Sequence, residues 1–421
     1  MLAEQQKQLL EQAFLAGVEA VKPASFMGDI AQKMAEIATK KKVHLLALGK
    51  AAGEMSQHYL ACGGPAETGL VILPDNVPHA LPEWIRVIAA SHPVPNQNSV
   101  LAAQALLAQV SDLSAHDAVV MLLSGGGSSL ACAPAGPLTL ADKMAVNEAL
   151  LASGAPIQKM NIVRKHLSAL KGGRLAAAAF PATIYSFAIS DVPNDDPAAI
   201  ASGPTYGDDS TREEAAKILA EYQIISSENV HNWLSDAECE SPFADYSRLA
   251  NHEMTIVASA RIALQAVADK VADAGYQPVL LGDDFQDDSQ ILAQKMSDIA
   301  ANSANGIALI SGGETSVNVT GTGCGGRNAE FAHAMAVQEM AGICGLAGDS
   351  DGIDGGAQVA ASFFDETSLR RATALGLDGV AMLQDNDSHS FFAALDDQLI
   401  TGPTQTNIND IRILLIGMPD G

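Results

Sequence analysis

Residues 311–330, SGGETSVNVTGTGCGGRNAE, carry groups whose types and spacing suit the binding of an anion. Apolar residues 306–310 predict a strand, residues 315–320 predict further β structure, and Arg327 follows a glycine-rich turn at the start of a predicted helix. Such a turn frees backbone N–H groups, and the positive end of the helix dipole favours a phosphate. Arg327 can bind two oxygens at once. A tight hairpin whose glycines only allow positive φ is the alternative.

Four residues of this carboxyl-terminal half are predicted to contact ligands. Gly325 and Gly326 are predicted phosphate-binding residues, because they come directly before Arg327. Glu314 follows the predicted strand and could face a metal or a substrate hydroxyl. Asn407 closes the hydroxyl-rich loop 401–407 and is a further predicted substrate contact.

A second glycine-rich loop follows a buried strand predicted over residues 118–123. It consists of Ser124, Gly125, Gly126, Gly127, Ser128 and Ser129. Three glycines let the backbone wrap an anion, and the serines add hydroxyl groups. The loop lacks the G-x-G-x-x-G spacing of a dinucleotide site. The sequence therefore predicts capture of a phosphate or carboxylate rather than binding of NAD.

A lysine and a histidine lie beside other predicted strand ends of the amino-terminal half. Lys50 follows the predicted strand 43–48, where α/β folds place ligands. The surrounding residues do not form a P-loop, since Ala51 stands where serine or threonine is needed. His92 lies in a loop stiffened by prolines and is a predicted substrate contact.

Two aspartates are the predicted metal ligands. Asp191 follows the predicted strand 184–189, and Asp351 lies just beyond the predicted strand 342–347. Carboxylates at strand ends often hold Mg²⁺ through one or two oxygens plus water. Turn capping competes as a role for the acids that follow Asp191.

Residues 161–174, NIVRKHLSALKGGR, form a basic island in an otherwise acidic chain. On a continuous helix, Arg164, Ser168 and Lys171 share one face, and apolar residues occupy the neighbouring face. We expect a local positive well that binds a carboxylate or a nucleotide phosphate. A solvated basic face is the alternative.

The elements that must position these residues predict a two-domain α/β protein. We expect a first domain over residues 1–240 and a second over residues 241–421. An amphipathic helix near the amino terminus is predicted to pack on the first domain. The predicted strands are 43–48, 69–73, 87–90, 118–123, 184–189, 254–258, 277–281, 306–310, 342–347 and 411–416.

Composition narrows the partners and the compartment. The chain has 421 residues and a formal net charge of −25, which argues against nucleic acid or anionic lipid as a partner. Five widely spaced cysteines without a zinc pattern favour a reducing, cytoplasmic location. No apolar run is long enough to span a membrane. The sequence leaves open whether the chain forms a homodimer.

The motifs, taken in order, resemble the class II glycerate 2-kinase family, which joins a Rossmann-like amino-terminal domain to a carboxyl-terminal MOFRL domain. The resemblance spans nearly the whole chain. It rests on LGKAAGEM, SHPVPNQNS, SGGGSSL, NIVRKHLSALKGGRLA, SDVPNDDPAAIASGPT, SGGETSVNVTGTGCGGRNAEF, AGDSDGIDG and TGPTQTNINDIRILLI.

This resemblance implies a fold, a reaction and catalytic residues. It implies a doubly wound parallel sheet, a smaller mixed-sheet domain and an active site in the cleft between them. It also implies phosphorylation of D-glycerate at the 2-hydroxyl, with ATP and Mg²⁺ or another divalent cation, giving 2-phosphoglycerate and ADP. Lysine and arginine proposed for catalysis in the family match Lys50 and Arg327.

Three positions depart from the family pattern, and two other functions stay open. Ala329, Gln358 and Gln405 stand where the family usually has glutamine, an acid and glycine. Some relatives carry the name hydroxypyruvate reductase, so an NAD(P)H-dependent reductase is one alternative, which the missing dinucleotide fingerprint disfavours. A non-enzymatic sensor of sugar acids is the other, and it would not need carboxylates at strand ends.

Overall fold

The computed structural model describes residues 4–404 and 406–419. Its α-helices are α1 Glu4–Ala20, α2 Pro23–Ala38, α3 Ala52–Ala61, α4 Gln97–Ser111, α5 Gly127–Leu130, α6 Leu140–Ala152, α7 Ile157–His166, α8 Arg174–Ala179, α9 Arg212–Glu221, α10 Glu228–Ser235, α11 Ala260–Asp273, α12 Ser289–Ala301, α13 Arg327–Ala336, α14 Ser368–Ala374, α15 Gly379–Gln384 and α16 Ser388–Leu395. Its strands are β1 Lys42–Leu48, β2 Thr68–Pro74, β3 Ile85–Ala90, β4 Asp117–Leu123, β5 Thr183–Ile189, β6 His252–Ala258, β7 Gln277–Phe285, β8 Ile307–Gly313, β9 Ile343–Asp349, β10 Ala361–Asp365, β11 Gln398–Leu399 and β12 Asp410–Ile416. Short 3₁₀ helices cover Pro193–Asp195, Ile200–Ser202, Ala237–Cys239 and Ser247–Leu249.

The chain divides into two compact units. The first unit is Phe26–Val257, and the second unit combines Met1–Ser25 with Ala258–Gly421. The sequence placed the domain boundary near residue 240 and assigned the amino-terminal helix to the first domain. That assignment of the helix is wrong, because α1 packs on α11, β9 and β12 of the second unit.

The first unit is built on a six-stranded sheet in the order β3-β2-β1-β4-β5-β6. Strands β1 to β5 run parallel to their neighbours. The central strand β4, DAVVMLL, is buried along nearly all of its length, as expected for a parallel strand covered on both faces. This is the strand order of a doubly wound Rossmann-like fold, which confirms the predicted class.

Capping residues fix where the helices around this sheet begin. Asn96 accepts a hydrogen bond from the backbone of Ser99 and starts α4, and Thr139 does the same with Asp142 to start α6. Such reciprocal caps satisfy backbone donors that the first helical turn leaves free. The α6 cap matters for the site, because α6 carries Lys143.

The second unit has a mixed six-stranded sheet in the order β11-β10-β9-β12-β8-β7. Strand β12 lies between β8 and β9 and is antiparallel to both, whereas β7 and β8 are parallel. Arg412, in the middle of β12, is fully buried and donates to the carbonyl oxygen of Gly312 and to Thr315 Oγ1. The mixed sheet agrees with the prediction for this domain.

Every predicted strand overlaps an observed one, but the β structure predicted for residues 315–320 is wrong. Apart from an isolated bridge at Ser316, these residues form no strand in the described chain. Their donors find loop partners instead: Thr315 N donates to Asp410 Oδ2, and Thr320 N donates to Asn386 Oδ1. Within the described residues, no helix is long and apolar enough to cross a bilayer.

Candidate active site

In the first unit, three predicted site segments meet at one edge of the sheet. Strands β1, β4 and β5 are adjacent and parallel, so the residues that follow them converge at their carboxyl ends. Lys50 follows β1, the loop 124–129 follows β4, and Asp191 follows β5. The structure therefore brings together residues that the sequence could only place one strand at a time.

Backbone contacts tie Lys50 to the glycine-rich loop. Lys50 N donates to the carbonyl oxygen of Gly125 at 2.9 Å, and Ala51 N donates to Ser124 Oγ at 3.0 Å. The Lys50 side chain is exposed, and its ammonium group forms no hydrogen bond or ion pair with any residue that the structure describes. The backbone hydrogen bonds of Lys50 and Ala51 thus hold the solvated Lys50 ammonium group beside the loop.

The loop needs glycine because other side chains press against its backbone. Gly126 has φ +82°, and a methyl group there would lie 2.9 Å from His92 Cδ2 and 3.1 Å from Lys50 Cγ. A methyl group at Gly125 would collide with the carboxylate of Asp191. His92, Lys50 and Asp191 therefore surround the loop, as a shared ligand site requires.

The loop also offers unused backbone donors. The N–H groups of Gly125, Gly126, Gly127 and Ser128 donate to no atom of the described chain. Ser129 N and Ser129 Oγ both bond to the carbonyl oxygen of Gly126, which leaves Ser129 as a support of the turn. Four adjacent free donors form a concave group that suits an anion.

A cavity of about 620 Å³ opens beside this loop and is enclosed by residues of the first unit. It is lined by His92, Gly126, Ser128 and Ser129 and by three cationic side chains, Lys143, Arg164 and Lys171. Apolar residues such as Leu150, Val163 and Leu167 form much of the remaining wall, and Glu148 contributes one acid. Six of the predicted site residues thus line one cavity.

The three cations have no carboxylate partner in the described chain. Lys143 Nζ donates to the carbonyl oxygen of Leu167 at 2.9 Å, Lys171 Nζ donates to Ser128 Oγ, and Arg164 Nε donates to Asn147 Oδ1 at 2.6 Å. All of these acceptors are neutral. Their positive charges are therefore left for a ligand to balance.

Burial has a direct effect on the protonation of these groups. It lowers the pKa of Lys171 to about 7, with Lys143 and Arg164 adding to the effect, and it lowers the pKa of Lys143 to about 8. The pKa of Arg164 is also lowered by burial. Burial, followed by the charge of Lys50, lowers the pKa of His92 below its ordinary value.

The continuous helix predicted for the basic island is wrong. Helix α7 ends at His166, and residues 167–169 run alongside residues 133–135, with Ala169 N donating to the carbonyl oxygen of Ala133 at 3.0 Å. Lys171 therefore lies in a turn rather than on the helix. It still reaches the same cavity as Arg164, although not through a shared helical face.

In the second unit, three carboxylates surround Arg327. Its Nε donates to Asp410 Oδ1 at 2.7 Å, Nη1 to Glu314 Oε1 at 3.0 Å and Nη2 to Asp349 Oδ2 at 2.6 Å. Burial opposes a charged guanidinium, but Asp410 and Asp349 outweigh it and raise the pKa of Arg327. The arginine is therefore a permanent cation whose donors are already engaged.

Further acids and an asparagine adjoin this arginine cluster. Asp410 also accepts from Arg412, and Asp351 N donates to Asp349 Oδ1 at 3.1 Å. Asn407 Nδ2 donates to Asp351 Oδ2 at 3.4 Å. Burial, and then the charges of Asp351 and Asp410, raise the pKa of Asp349, while the charge of Arg327 acts in the opposite direction. The predicted residues Glu314, Arg327, Asp351 and Asn407 thus belong to one region.

Most backbone donors of the glycine-rich turn before Arg327 already form hydrogen bonds within the chain. Backbone donors of residues 320–324 bond to residues 385–387, and Asn328 N and Ala329 N donate to the buried carboxylate of Asp354. Among the described residues, the N–H groups of Gly325, Gly326 and Arg327 have no acceptor. Any anion at this turn would meet those three donors.

Five residues of these regions were missed from the sequence: Lys143, Asp349, Asp354, Asp410 and Arg412. Asp349 and Asp354 belong to an aspartate-rich run that follows a strand, so their type and position gave a usable signal. Lys143 lies on a separate helix, and Asp410 and Arg412 lie in a terminal strand, where nothing local marks them. Ala329 is buried and Gln358 is exposed, whereas Gln405 lies outside the described residues.

Comparison with known sequences places the chain in a family. The profile of a family described as a domain of unknown function (DUF4147) matches residues 9–235, more than half of the chain, and that of the MOFRL family matches residues 307–410. The chain belongs to the DUF4147–MOFRL family. This confirms the resemblance to the class II glycerate 2-kinases.

Relatives of this DUF4147–MOFRL chain carry different names. A D-glycerate 2-kinase of Thermotoga maritima is 33% identical over 98% of this chain and 99% of its own. A protein of Agrobacterium vitis, provisionally named hydroxypyruvate reductase, is 45% identical over 80% of this chain and 79% of its own. A crystal structure of glycerate kinase from Thermotoga maritima matches with a TM-score of 0.89 and 32% identity, covering 98% of this chain and 100% of that chain.

Proposed function

We propose that this chain transfers the terminal phosphoryl group of ATP to the 2-hydroxyl of D-glycerate, giving 2-phosphoglycerate and ADP. Membership of the family supports the reaction class, since a D-glycerate 2-kinase aligns along 98% of the chain. The observation that carries the proposal is the first-unit cavity, where two buried lysines, Lys143 and Lys171, and the half-buried Arg164 lack acidic partners among the described residues of a chain of net charge −25.

The cavity has the chemistry that both substrates need. D-glycerate carries a carboxylate and ATP carries phosphates, so each needs donors and positive charge. Arg164, Lys143 and Lys171 would bind a carboxylate or a phosphate, and the loop 124–129 would supply N–H groups to a second anion. Phosphoryl transfer depends mainly on positioning and on charge stabilisation, rather than on covalent chemistry by the protein.

The two residues carried over from the family have different surroundings. Lys50 has an uncommitted ammonium group and would stabilise charge that develops on the transferred phosphoryl group. Arg327, in the second unit, would stabilise phosphate charge together with the N–H groups of Gly325 and Gly326, and it would have to exchange or share its carboxylate partners. Glu314 and Asn407 would contact the substrate from the same region.

A divalent cation is expected with ATP, and it would neutralise phosphate charge. No group of three or more His, Cys, Asp or Glu side chains in the described chain is arranged to hold a metal ion. Mg²⁺ usually takes only one or two carboxylates, with water and substrate phosphates completing its shell. Asp191, against the glycine-rich loop, and Asp351, beside the Arg327 cluster, are the two carboxylates that would serve.

The test is a direct assay of both candidate reactions. Purified protein with ATP, Mg²⁺ and D-glycerate should release ADP and form 2-phosphoglycerate. The alternative, an NAD(P)H-dependent hydroxypyruvate reductase, rests on the name of the Agrobacterium vitis relative. Rapid NADH or NADPH oxidation with hydroxypyruvate, without ADP release from ATP and D-glycerate, would replace the kinase proposal with the reductase.

Two further expectations accompany the proposal. A cytoplasmic location, favoured by the cysteine pattern, stays a prediction. A homodimer also stays a prediction, which light scattering coupled to size-exclusion chromatography measures directly.

A further inference from the structure

A hydrogen-bonded row of three side chains lies at the wall of the first-unit cavity. Lys171 Nζ bonds to Ser128 Oγ, and Ser128 Oγ lies 3.1 Å from Ser202 Oγ. Ser128 and Lys171 line the cavity, whereas Ser202 is buried. A serine between a lysine and a second serine has the geometry of an activated nucleophile and its base.

The backbone holds the row rigidly. Gly172 N donates to the carbonyl oxygen of Ser202 at 3.2 Å, and Gly173 N donates to that of Gly203 at 2.8 Å, so the turn after Lys171 is fixed to the turn containing Ser202. Ala201 and Ser202 have φ of 50° and 62°, a region costly for residues with a Cβ. Such strain persists where the surrounding structure enforces it, and it concentrates at functional sites.

Lys171 is suited to accept a proton. Its side chain is nearly fully buried, and its only hydrogen-bond partner in the described chain is Ser128. Burial, and then the charges of Lys143 and Arg164, favour the neutral amine and lower its pKa to about 7, while Cys132 acts in the opposite direction. A large fraction of Lys171 is therefore neutral near physiological pH.

Donors for a developing oxyanion are next to the serine. The N–H groups of Gly126, Gly127 and Ser128 find no acceptor in the part of the chain that the structure describes. Backbone donors of this kind stabilise the tetrahedral intermediate of acyl transfer. Arg164 and Lys143, on the same cavity, supply positive charge for an anionic group elsewhere on a substrate.

We propose that Ser128 is a nucleophile activated by Lys171, and that this cavity hydrolyses esters of small carboxylic acids that carry a second, free carboxylate. This activity goes beyond the kinase reaction and uses no ATP.

The steps balance with water as the second substrate. Ser128 Oγ attacks the ester carbonyl carbon as neutral Lys171 Nζ takes the hydroxyl proton. The C–O bond to the leaving alcohol then breaks, and the Lys171 ammonium returns that proton to the departing oxygen. Water attacks the acyl-serine, giving its proton to Lys171. As this second intermediate collapses, the bond from the acyl carbon to Ser128 Oγ breaks, the Lys171 ammonium returns the proton to Ser128 Oγ, and the acid leaves.

The first experiment uses a fluorophosphonate probe, which reacts with activated serines, and the full-length protein without ATP. Wild-type protein should be phosphonylated at Ser128, as located by peptide mass spectrometry, and Ser128→Ala should remove the label. Ser111 is an exposed serine of the same unit whose hydroxyl donates, within the described chain, only to the carbonyl oxygen of Ala108, and it offers a matched control. Ser111→Ala should leave labelling unchanged.

The second experiment measures hydrolysis of mono-p-nitrophenyl succinate against that of neutral p-nitrophenyl acetate. The anionic ester should be preferred at least about tenfold, because its free carboxylate gains a charge-assisted contact. Ser128→Ala should remove enzymatic turnover of both esters. Arg164→Met should reduce the preference for the anionic ester.

Lysine variants separate a base from a structural support. Lys171→Arg keeps a cation able to bond to Ser128 but cannot become neutral, so hydrolysis should fall about 10²-fold or more. The rate of hydrolysis should fall equally in Lys171→Met. Circular dichroism on both variants establishes that they fold. Wild-type hydrolysis should rise with pH through about 7 as Lys171 deprotonates.

Several results would overturn the esterase proposal. Labelling at a serine other than Ser128, full hydrolysis in folded Lys171→Arg, or no labelling and no ester turnover by wild-type protein would each do so. Because no assay contains ATP or D-glycerate, these outcomes leave the kinase proposal standing. Failure of the kinase assay likewise does not affect the esterase proposal.

Discussion

The cations of the two units differ in what surrounds them. Lys50, Lys143, Arg164 and Lys171 of the first unit have no carboxylate partner in the described chain, whereas Arg327 of the second unit contacts three. The first group is held by neutral oxygens or by its own main chain. Arg327 is held by opposite charge.

This difference teaches which cations are available to a ligand. An unpaired buried cation costs desolvation free energy that a bound anion can recover, so the first-unit cavity is prepared for one. For Arg327, the ion pairs with Glu314, Asp349 and Asp410 already offset that desolvation cost. Its substitution should therefore reduce both folding stability and catalysis, while substitution of Lys50 should reduce catalysis alone.

The largest effect is expected from Arg327→Ala. Loss of the guanidinium leaves Asp410, which is fully buried, with one counterion fewer, and this should cost about 3–5 kcal/mol of folding free energy. Activity should fall at least about 10²-fold, mainly in kcat, if the residue stabilises the transition state. Steady-state kinetics on Arg327→Ala and Arg327→Lys measures the loss of activity. Denaturant unfolding of both variants measures the loss of folding stability.

A matched control for this arginine is Arg370→Ala. Arg370 belongs to the same unit and is mostly exposed, and its one ion pair among the described residues is with Glu339 at 3.7 Å. Its loss should therefore change neither stability nor rate appreciably. A folded Arg327→Lys variant with near-normal kcat and a raised KM would make Arg327 a ground-state clamp instead.

The next effect is expected from Lys50→Met. Its ammonium group forms no hydrogen bond or ion pair with a described residue, so the free energy of unfolding should stay within about 0.5 kcal/mol of wild type. The rate should fall by about 10- to 100-fold, because a cation that acts on the transferred group is lost. Lys40→Met, at another exposed lysine of the first unit, serves as the control. Equal rates for both variants would remove Lys50 from the catalytic proposal.

A smaller effect is expected from Gly126→Ala. Comparison with Gly154→Ala separates the effect of a side chain in the loop from the effect of backbone strain. Gly126 and Gly154 both have positive φ, 82° and 72°, so alanine should strain either backbone by about 1–2 kcal/mol. Only at Gly126 would the new methyl group press on His92 and Lys50, since Gly154 has open space around it. KM for ATP or D-glycerate should rise about tenfold in Gly126→Ala alone. Equal KM values in the two variants would mean that the loop is only a turn.

The last expected effect, small over any single pH unit, is a pH dependence of stability in the first unit. The pKa of Lys171 is lowered from 10.5 in the unfolded chain to about 7 in the folded state, so the unfolded state binds more protons between these values. Folding stability should therefore rise with pH across that window, by at most about 1.4 kcal/mol per pH unit. Lys171→Met should remove the contribution of Lys171 to this slope in urea unfolding, while the contribution of Lys143 above pH 8 remains. An unchanged slope would mean that Lys171 keeps its ordinary pKa.

The sequence predicted the strands and the polar residues that follow them, because an apolar run ending in glycine, serine or aspartate is a local signal. Lys50, the loop 124–129 and Asp191 were found this way, and parallel strands then brought them together. The partners of Arg327 had no such signal. Asp410 lies far from it along the chain and meets it only because β12 lies between β8 and β9.

The errors have the same origin. Residues 161–174 have helical spacing, but tertiary pairing with residues 133–135 ends the helix at His166. Residues 315–320 have strand-forming composition, but side chains of distant loops satisfy their backbone instead. Local propensity was outweighed in both places by contacts that only the complete fold supplies.

The chain order of the second unit has a consequence for synthesis on the ribosome. Helix α1 is made first but packs on α11, which emerges only after the whole first unit, and β12 is made last but occupies the middle of its sheet. The first unit is continuous and can fold as it leaves the exit tunnel. The second must keep the facing edges of β8 and β9 apart until β12 arrives, so its nascent form depends most on protection from aggregation.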